Sequence, residues 1–307
     1  MNHSGKRLVV FGAGYVGSEV ARQAVARGLH VTALTRNPDQ ARVLAMAGIE
    51  TVVADLADCG WHRHIAGAPD LILNSVSSGG SGIAGYRHSY VEGMRSMLAW
   101  AMRSESNDAG GKTAPLAGTM VYTSSTSVYP QGDGVLVDES APVAGNSATS
   151  HVLVETENMF LAASGMSGRR AFVLRLAGIY GPGRHHLLDQ LRAGVTAFPG
   201  HGNLRLNLIN RDDICAAIWA AFAAPPQIAG GAFNVADDGA ARKAEVMAWL
   251  ATRVGQPPPQ FTGEPAPNGH RAAAPDRVIA NEKLKRVLGW RPLYPTYREG
   301  YTAILST

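Results

Sequence analysis

The chain has 307 residues, room for two domains or for one large α/β domain with an appendage. Hydrophobic residues make up 46% and charged residues 17%, and the 35 glycines are dispersed among apolar runs, which excludes collagen-like, coiled-coil and low-complexity classes. The net charge of +4 is spread without a Lys/Arg block, so no nucleic-acid partner is expected. Cys59 and Cys215 cannot build a disulfide framework and show no metal spacing, so no metal is expected and the compartment reads as reducing. No signal-type apolar segment follows Met1, and no apolar run reaches 18 residues. The expectation is a cytoplasmic protein without membrane contact.

In chain order, Leu8–Phe11 reads as a strand that runs into glycines, and Val16–Ala26 as a helix. His30–Leu34 is a second strand, and Pro38–Ala47 a helix started by Asn37 and Pro38. Thr51–Ala54 and Leu71–Leu73 are further strands, and a long helix covers Tyr86–Arg103. Thr119–Tyr122 is a strand, Val152–Ala163 a helix and Ala171–Arg175 another strand. Short, fully apolar strands alternating with helices predict a doubly wound parallel α/β sheet covered on both faces. Later helices are expected at Arg211–Ala223, Lys243–Arg253 and Asn281–Leu288. Six of the 17 prolines lie between Pro257 and Pro275, which predicts a surface loop, with a cover over a ligand as the alternative. Trp249 and Trp290 read as core of a small C-terminal unit.

Gly12-Ala13-Gly14-Tyr15-Val16-Gly17 is a G-x-G-x-x-G placed between the first strand and the first helix. Gly12 permits the tight turn, Gly14 lets a pyrophosphate approach the backbone, and Gly17 lets helix pack on strand. The helix N-terminus adds free N–H groups and partial positive charge. A dinucleotide site is expected. At the end of the second strand stands Thr35-Arg36, where an NAD site usually carries an acid. Arg36 can pair with a 2′-phosphate, which favours NADP and leaves NAD possible, or it can be solvated beside the cap. Asp55 and Leu56 are placed to meet the adenine, and Ser75 and Ser124 at strand ends are also assigned to the cofactor.

These residues, together with Tyr122–Tyr129, Leu174–Arg184, Asn210–Ile214, Phe233–Asp237 and Leu288–Pro292, resemble the short-chain dehydrogenase/reductase superfamily. The branch they are most similar to is the extended or atypical one that contains NAD-dependent epimerase/dehydratase-type proteins. The resemblance implies a Rossmann domain, here 1–175 with 211–237 returning to it, and a smaller substrate domain within 176–307. It implies that Ser125 bonds the substrate oxygen. Thr126 and Ser127 stand where some dehydratases carry an acid pair, which disfavours that chemistry. Around the cleft it implies Tyr180, Arg184, His186, Asn207 and Asn210 as substrate-facing, and it implies a homodimer through the helices near 86–103 and 152–163. As metal ligands, His62/His64 and His185/His186 lack a carboxylate or cysteine at the right spacing and read as solvated.

One departure matters. The family's acid/base pair is Tyr-x-x-x-Lys, in which the lysine lowers the phenol pKa so that it can shuttle a proton. No Tyr-x-x-x-Lys occurs in this chain. Aligning Glu157–Phe160 with the family's downstream helix puts Thr149 at the tyrosine position and Leu153 at the lysine. His151 would face away from Thr149 by about 200° at 3.6 residues per turn, unless the helix begins later and His151 swings in as a proton donor. Tyr129, Thr149, water or the substrate itself are the other candidates. Losing a positioned acid weakens hydride transfer by about 10²–10⁴ without forbidding it. Three readings stay open: an NAD(P)-dependent oxidoreductase or epimerase-like enzyme acting on a carbonyl, imine or alcohol of a small metabolite, a catalytically silent dinucleotide-binding regulator or scaffold, and a non-redox lyase or isomerase.

Overall fold

The computed structural model describes residues 5–67, 69–78, 82–102, 118–264 and 275–306. Strand β1 (Arg7–Phe11) leads to α1 (Gly17–Ala26), β2 (His30–Thr35), α2 (Pro38–Met46) and β3 (Glu50–Val53). After β4 (Leu71–Asn74) come α3 (Gly82–Arg87), a π-turn over His88–Glu92 and α4 (Gly93–Ala101). Next are β5 (Thr119–Ser125), β6 (Val135–Val137), α5 (Ala148–Ser167), β7 (Arg170–Leu176), β8 (Gly178–Tyr180) and α6 (His186–Arg192). The remainder runs β9 (Ala197–Phe198), β10 (Arg205–Leu206), β11 (Leu208–Asn210), α7 (Arg211–Phe222), β12 (Gly230–Val235), β13 (Ala241–Arg242), α8 (Lys243–Arg253), β14 (Gln260–Phe261), β15 (Arg277–Ile279), α9 (Glu282–Leu288) and α10 (Tyr297–Leu305).

Seven strands form one sheet in the order β12-β7-β5-β4-β1-β2-β3, and every pairing within it is parallel. Alternation along the strands feeds two cores. Leu8 and Val10 point into one cluster with Val121, Phe172 and Leu174, while Val9 and Phe11 point into another with Met120, Tyr122 and Val173. That is why these strands read as continuous apolar runs: both faces are covered. A third cluster joins Tyr180, Leu188, Phe198, Met247, Leu250, Tyr297 and Tyr301 outside the sheet.

Several expectations change. Asn37 caps α2 as read, its side chain accepting from the Asp39 and Gln40 amides. The long helix starts at Gly82 and is interrupted by the π-turn, in which the Gly93 amide bonds the His88 carbonyl; its expected end, Arg103, lies outside the described residues. Helix α5 begins at Ala148 rather than Val152 because the Ser150 hydroxyl accepts from the Asn146 and Ser147 amides, each at 2.9 Å, and closes the first turn. Helices α6 and α10 were not foreseen. The proline-rich segment contains β14, paired with β9, and its residues 265–274 lie outside the description. β12 returns to the main sheet beside β7.

Two carboxylates are buried where α7 and the end of β12 meet the C-terminal segment. Asp213 accepts the Leu293 and Tyr294 amides, yet burial pushes it up to about 6. Asp237 is pushed up to about 7, again chiefly by burial, and its Oδ2 has no hydrogen-bond partner. The folded state therefore keeps these protons above the usual carboxylate value of 3.8, so stability is lost as pH rises from about 4 to about 7. Urea midpoints are expected to fall from pH 5 to pH 8, and Asp237→Asn to flatten that slope. A wild-type midpoint that climbs over this range would contradict the assignment.

Candidate active site

The glycine turn has the geometry its spacing predicts. Gly12 sits at φ +83°, and a Cβ there would run into the Val76 backbone at 2.6 Å. A Cβ on Gly17 would collide with the Gly12 carbonyl, whereas one on Gly14 would meet nothing within 4 Å. Gly14 thus leaves open space beside the N-terminus of α1, which no side chain caps. Val16 is buried at the start of the helix. The Ser75 amide donates to the Phe11 carbonyl at 2.8 Å, tying β4 to the turn. Open backbone at Gly14 and uncapped helix donors fit a dinucleotide pyrophosphate, with Gly12, Gly14, Tyr15, Val16, Gly17 and Ser75 around it.

At the adenosine end, Arg36 Nη1 lies 3.6 Å from Asp55 Oδ2, and Asp55 Oδ1 accepts the Ala57 amide. Arg36 is therefore not simply solvated. Leu56 is buried and its carbonyl accepts from the Trp61 indole, so the polar side chain of this pair is that of Asp55.

The end of β5 divides its hydroxyls. Ser125 is half-buried, and its Oγ accepts the Ser127 amide at 3.1 Å, leaving its proton available to a ligand. Ser124 points the other way, donating to Glu157 Oε1 at 2.5 Å, and Arg175 closes the network with three bonds to the same carboxylate. The expected cofactor contact of Ser124 is corrected: its hydroxyl faces the core. Thr126 is buried. Tyr129 is corrected as a proton donor, because it is 0% exposed and its hydroxyl is held between Arg175 at 2.7 Å and Asn234 at 2.9 Å. Burial pushes that phenol up, although Arg175 pulls it down.

Helix α5 settles the His151 question. The His151 amide already bonds the Ser147 carbonyl at 3.0 Å, so the residue is helical and exposed rather than on a loop that could swing inward. Thr149 is exposed and lies 3.1 Å from the Ser147 hydroxyl. Leu153 is buried in the main cluster. Neither Thr149 nor Leu153 carries the titratable pair that the family uses.

Across the cleft, the Tyr15 hydroxyl donates to the Pro182 carbonyl at 2.9 Å, joining the glycine turn to the Gly181–Arg184 turn. Arg184 is exposed and sits 5.5 Å from the Tyr15 ring, with Arg211 at 5.4 Å. Arg211 is paired with Asp212. His186, the first residue of α6, is exposed. Two expected substrate contacts are corrected: Tyr180 is 3% exposed and stacks on Tyr301, and Asn210 caps α7 through the Asp212 amide. Half-buried Asn207 donates to the Arg277 carbonyl and accepts the Ile279 amide, which ties it to β15.

Sequence reading missed Arg277. Buried, it donates to the Thr126, Tyr129 and Gln131 carbonyls and so holds the turn that follows Ser125. Its partners lie about 150 positions away in sequence, which no local spacing could signal. Among the described residues no group of three or more His, Cys, Asp or Glu could hold a metal, and no helix is long and apolar enough to cross a membrane.

A seven-stranded parallel sheet with this turn at the switch between β1 and α1 defines a dinucleotide-binding protein of the Rossmann type. The chain belongs to the NAD dependent epimerase/dehydratase family, whose sequence pattern matches residues 8–236. A 3-diazoavenalumate denitrifying reductase from Streptomyces is 28% identical, over 96% of this chain and 98% of that protein. Protein YeeZ of Escherichia coli is 26% identical, over 94% and 97%. The structure of UDP-glucuronic acid 4-epimerase from Bacillus cereus, in complex with UDP-glucuronic acid and NAD, is similar with a TM-score of 0.81 at 17% identity, over 98% of each chain. At that identity the likeness is one of fold.

Proposed function

We propose that the protein is an NADP(H)-dependent oxidoreductase or epimerase-like enzyme. It acts on a carbonyl, imine or alcohol of a small metabolite without the family's phenol–ammonium pair. The observation that carries this reading is the open Gly14 backbone beside the uncapped start of α1, in the same parallel sheet whose β5 end presents the Ser125 hydroxyl. Arg36 in place of an acid supports the 2′-phosphorylated coenzyme.

The nicotinamide supplies or accepts a hydride when bound. Ser125 then orients the acceptor, its hydroxyl donating a hydrogen bond to a carbonyl oxygen or accepting one from the N–H of a protonated imine, and Arg277 fixes the turn that carries it. Arg184 offers an exposed cation, with no carboxylate partner among the described residues, for an anionic group. A substrate that needs no separate proton at the acceptor atom, such as a protonated imine, suits a cleft that lacks a phenol. The name of the Streptomyces relative, which describes loss of nitrogen rather than protonation of a carbonyl oxygen, supports that class. We further take the working form to be a homodimer through α3–α4 and α5, which light scattering after gel filtration tests.

Titration of the protein's fluorescence with NADPH and NADH tests the coenzyme reading: tight NADPH and weaker NADH are expected, and binding of neither overturns it. With a turned-over substrate in hand, Ser125→Ala is expected to lower kcat about 10²-fold and leave NADPH affinity unchanged. An unaltered kcat would remove Ser125 from the mechanism. The buried Leu153 and exposed Thr149 favour a second reading, a dinucleotide-binding regulator without turnover, which steady oxidation of NADPH by a physiological substrate excludes.

A further inference from the structure

Arg36 and Asp55 do not stand alone at the adenosine end. His88, the first residue of the π-turn, places Nε2 3.3 Å from Asp55 Oδ2, the same oxygen that Arg36 approaches at 3.6 Å. The other oxygen is taken by the Ala57 amide at 2.9 Å. Burial alone pushes the Asp55 carboxyl up, but the Ala57 amide, His88 and Arg36 together hold it below its usual value. All three side chains remain within reach of solvent, at 45% exposure for Arg36, 28% for Asp55 and 50% for His88.

The widened turn explains how His88 arrives there. An i→i−5 bond from the Gly93 amide to the His88 carbonyl inserts an extra residue into the helix, a feature that is frequent at functional sites. The same helix packs on the Asp55–Leu56 segment, with Gly93 facing the Leu56 side chain.

Arginine and carboxylate, left to themselves, prefer a bidentate pair of short bonds. Such a pair would neutralise Arg36 and set a negative charge against any phosphate on the ribose. Here Arg36 makes only one long approach to Asp55, and the nearer neighbour of that oxygen is His88.

We infer that His88 is a specificity-determining residue for the coenzyme. It engages Asp55 Oδ2 and keeps the carboxylate from closing on Arg36, so the guanidinium keeps its donors for a 2′-phosphate. The inference rests on the NADP(H) reading above and adds to it a residue that acts through another.

The test is a double-mutant cycle read by binding. Dissociation constants for NADPH, NADH and the fragment 2′,5′-ADP are measured for wild type, His88→Ala, Asp55→Asn and the double variant, with thermal melts to establish folding. His88→Ala is expected to weaken NADPH and 2′,5′-ADP about fivefold, the scale of one partly screened charge contact, and to leave NADH within about twofold. In the Asp55→Asn background the same change is expected to have no effect. Equal weakening of NADPH and NADH, or an undiminished effect without the carboxylate, overturns the inference. Arg36→Ala separates the two claims. If wild type shows no preference for NADPH, or Arg36→Ala leaves it intact, the coenzyme reading fails and the His88 role with it. If Arg36→Ala abolishes the preference while His88→Ala retains it, only the His88 role fails.

Discussion

Gly14→Ala is expected to weaken dinucleotide binding strongly and leave the folded protein as stable as before. The added methyl meets no protein atom within 4 Å, and a Gly→Ala change at a compatible backbone stabilises slightly through the unfolded chain, by about 0.4–1 kcal/mol. The methyl does occupy the space through which a pyrophosphate would approach the turn. A rise of about 100-fold in the NADPH dissociation constant, roughly 2.7 kcal/mol, is expected, with an unchanged or slightly raised melting temperature. Gly17→Ala supplies the contrast. Its methyl would collide with the Gly12 carbonyl, so the strand–turn–helix unit must shift and both stability and binding fall. Isothermal titration and melting curves on the two variants distinguish a site built for a ligand from a merely tight turn. Normal NADPH affinity in Gly14→Ala would mean that no pyrophosphate lies there.

Glu157→Ala is expected to destabilise the protein by about 3–5 kcal/mol, enough to unfold much of it at physiological temperature. The carboxylate meets Arg175 at 2.7 Å with side-chain exposures of 2% and 6%, and it also accepts the Ser124 hydroxyl. Removing it leaves a buried guanidinium with Tyr129 alone as a side-chain hydrogen-bond partner among the described residues. Glu155→Ala, two residues earlier on the same helix, is the control. Glu155 forms a two-bond pair with Arg87 of similar geometry, but both side chains are largely solvated, so the expected cost is under about 1 kcal/mol. Urea denaturation of both variants measures the difference that burial makes. Equal costs would show that Glu157 is not the keystone of a buried network.

Much of the fold was legible because its signals are local. The G-x-G-x-x-G spacing encodes a positive φ at Gly12 and close packing at Gly17, properties of single residues that need no tertiary context. Asn37-Pro38 marks a helix start by the same logic. The π-turn left no such trace: an i→i−5 bond has no spacing rule in sequence, so the segment read as one ordinary helix. The early start of α5 turned on the Ser147/Ser150 hydroxyls capping each other's turn, a signal present in sequence but outweighed by the apolar run from Val152.

The candidate site divides along the same line. The sequence by itself determined the parallel sheet, the phosphate-binding turn, Ser125 at a strand end and the lack of a Tyr-x-x-x-Lys, since these depend on side-chain period, backbone freedom and residue identity. Only the tertiary structure decided which polar residues remain free for chemistry. Tyr129 and Asn210 look like cleft residues in the chain, yet Arg175, Asn234 and the start of α7 satisfy them. A buried polar group must find a partner, and that partner can come from 18 or 105 positions away. The meeting of Arg36, Asp55 and His88 is decided the same way, by the packing of a helix against the loop after β3.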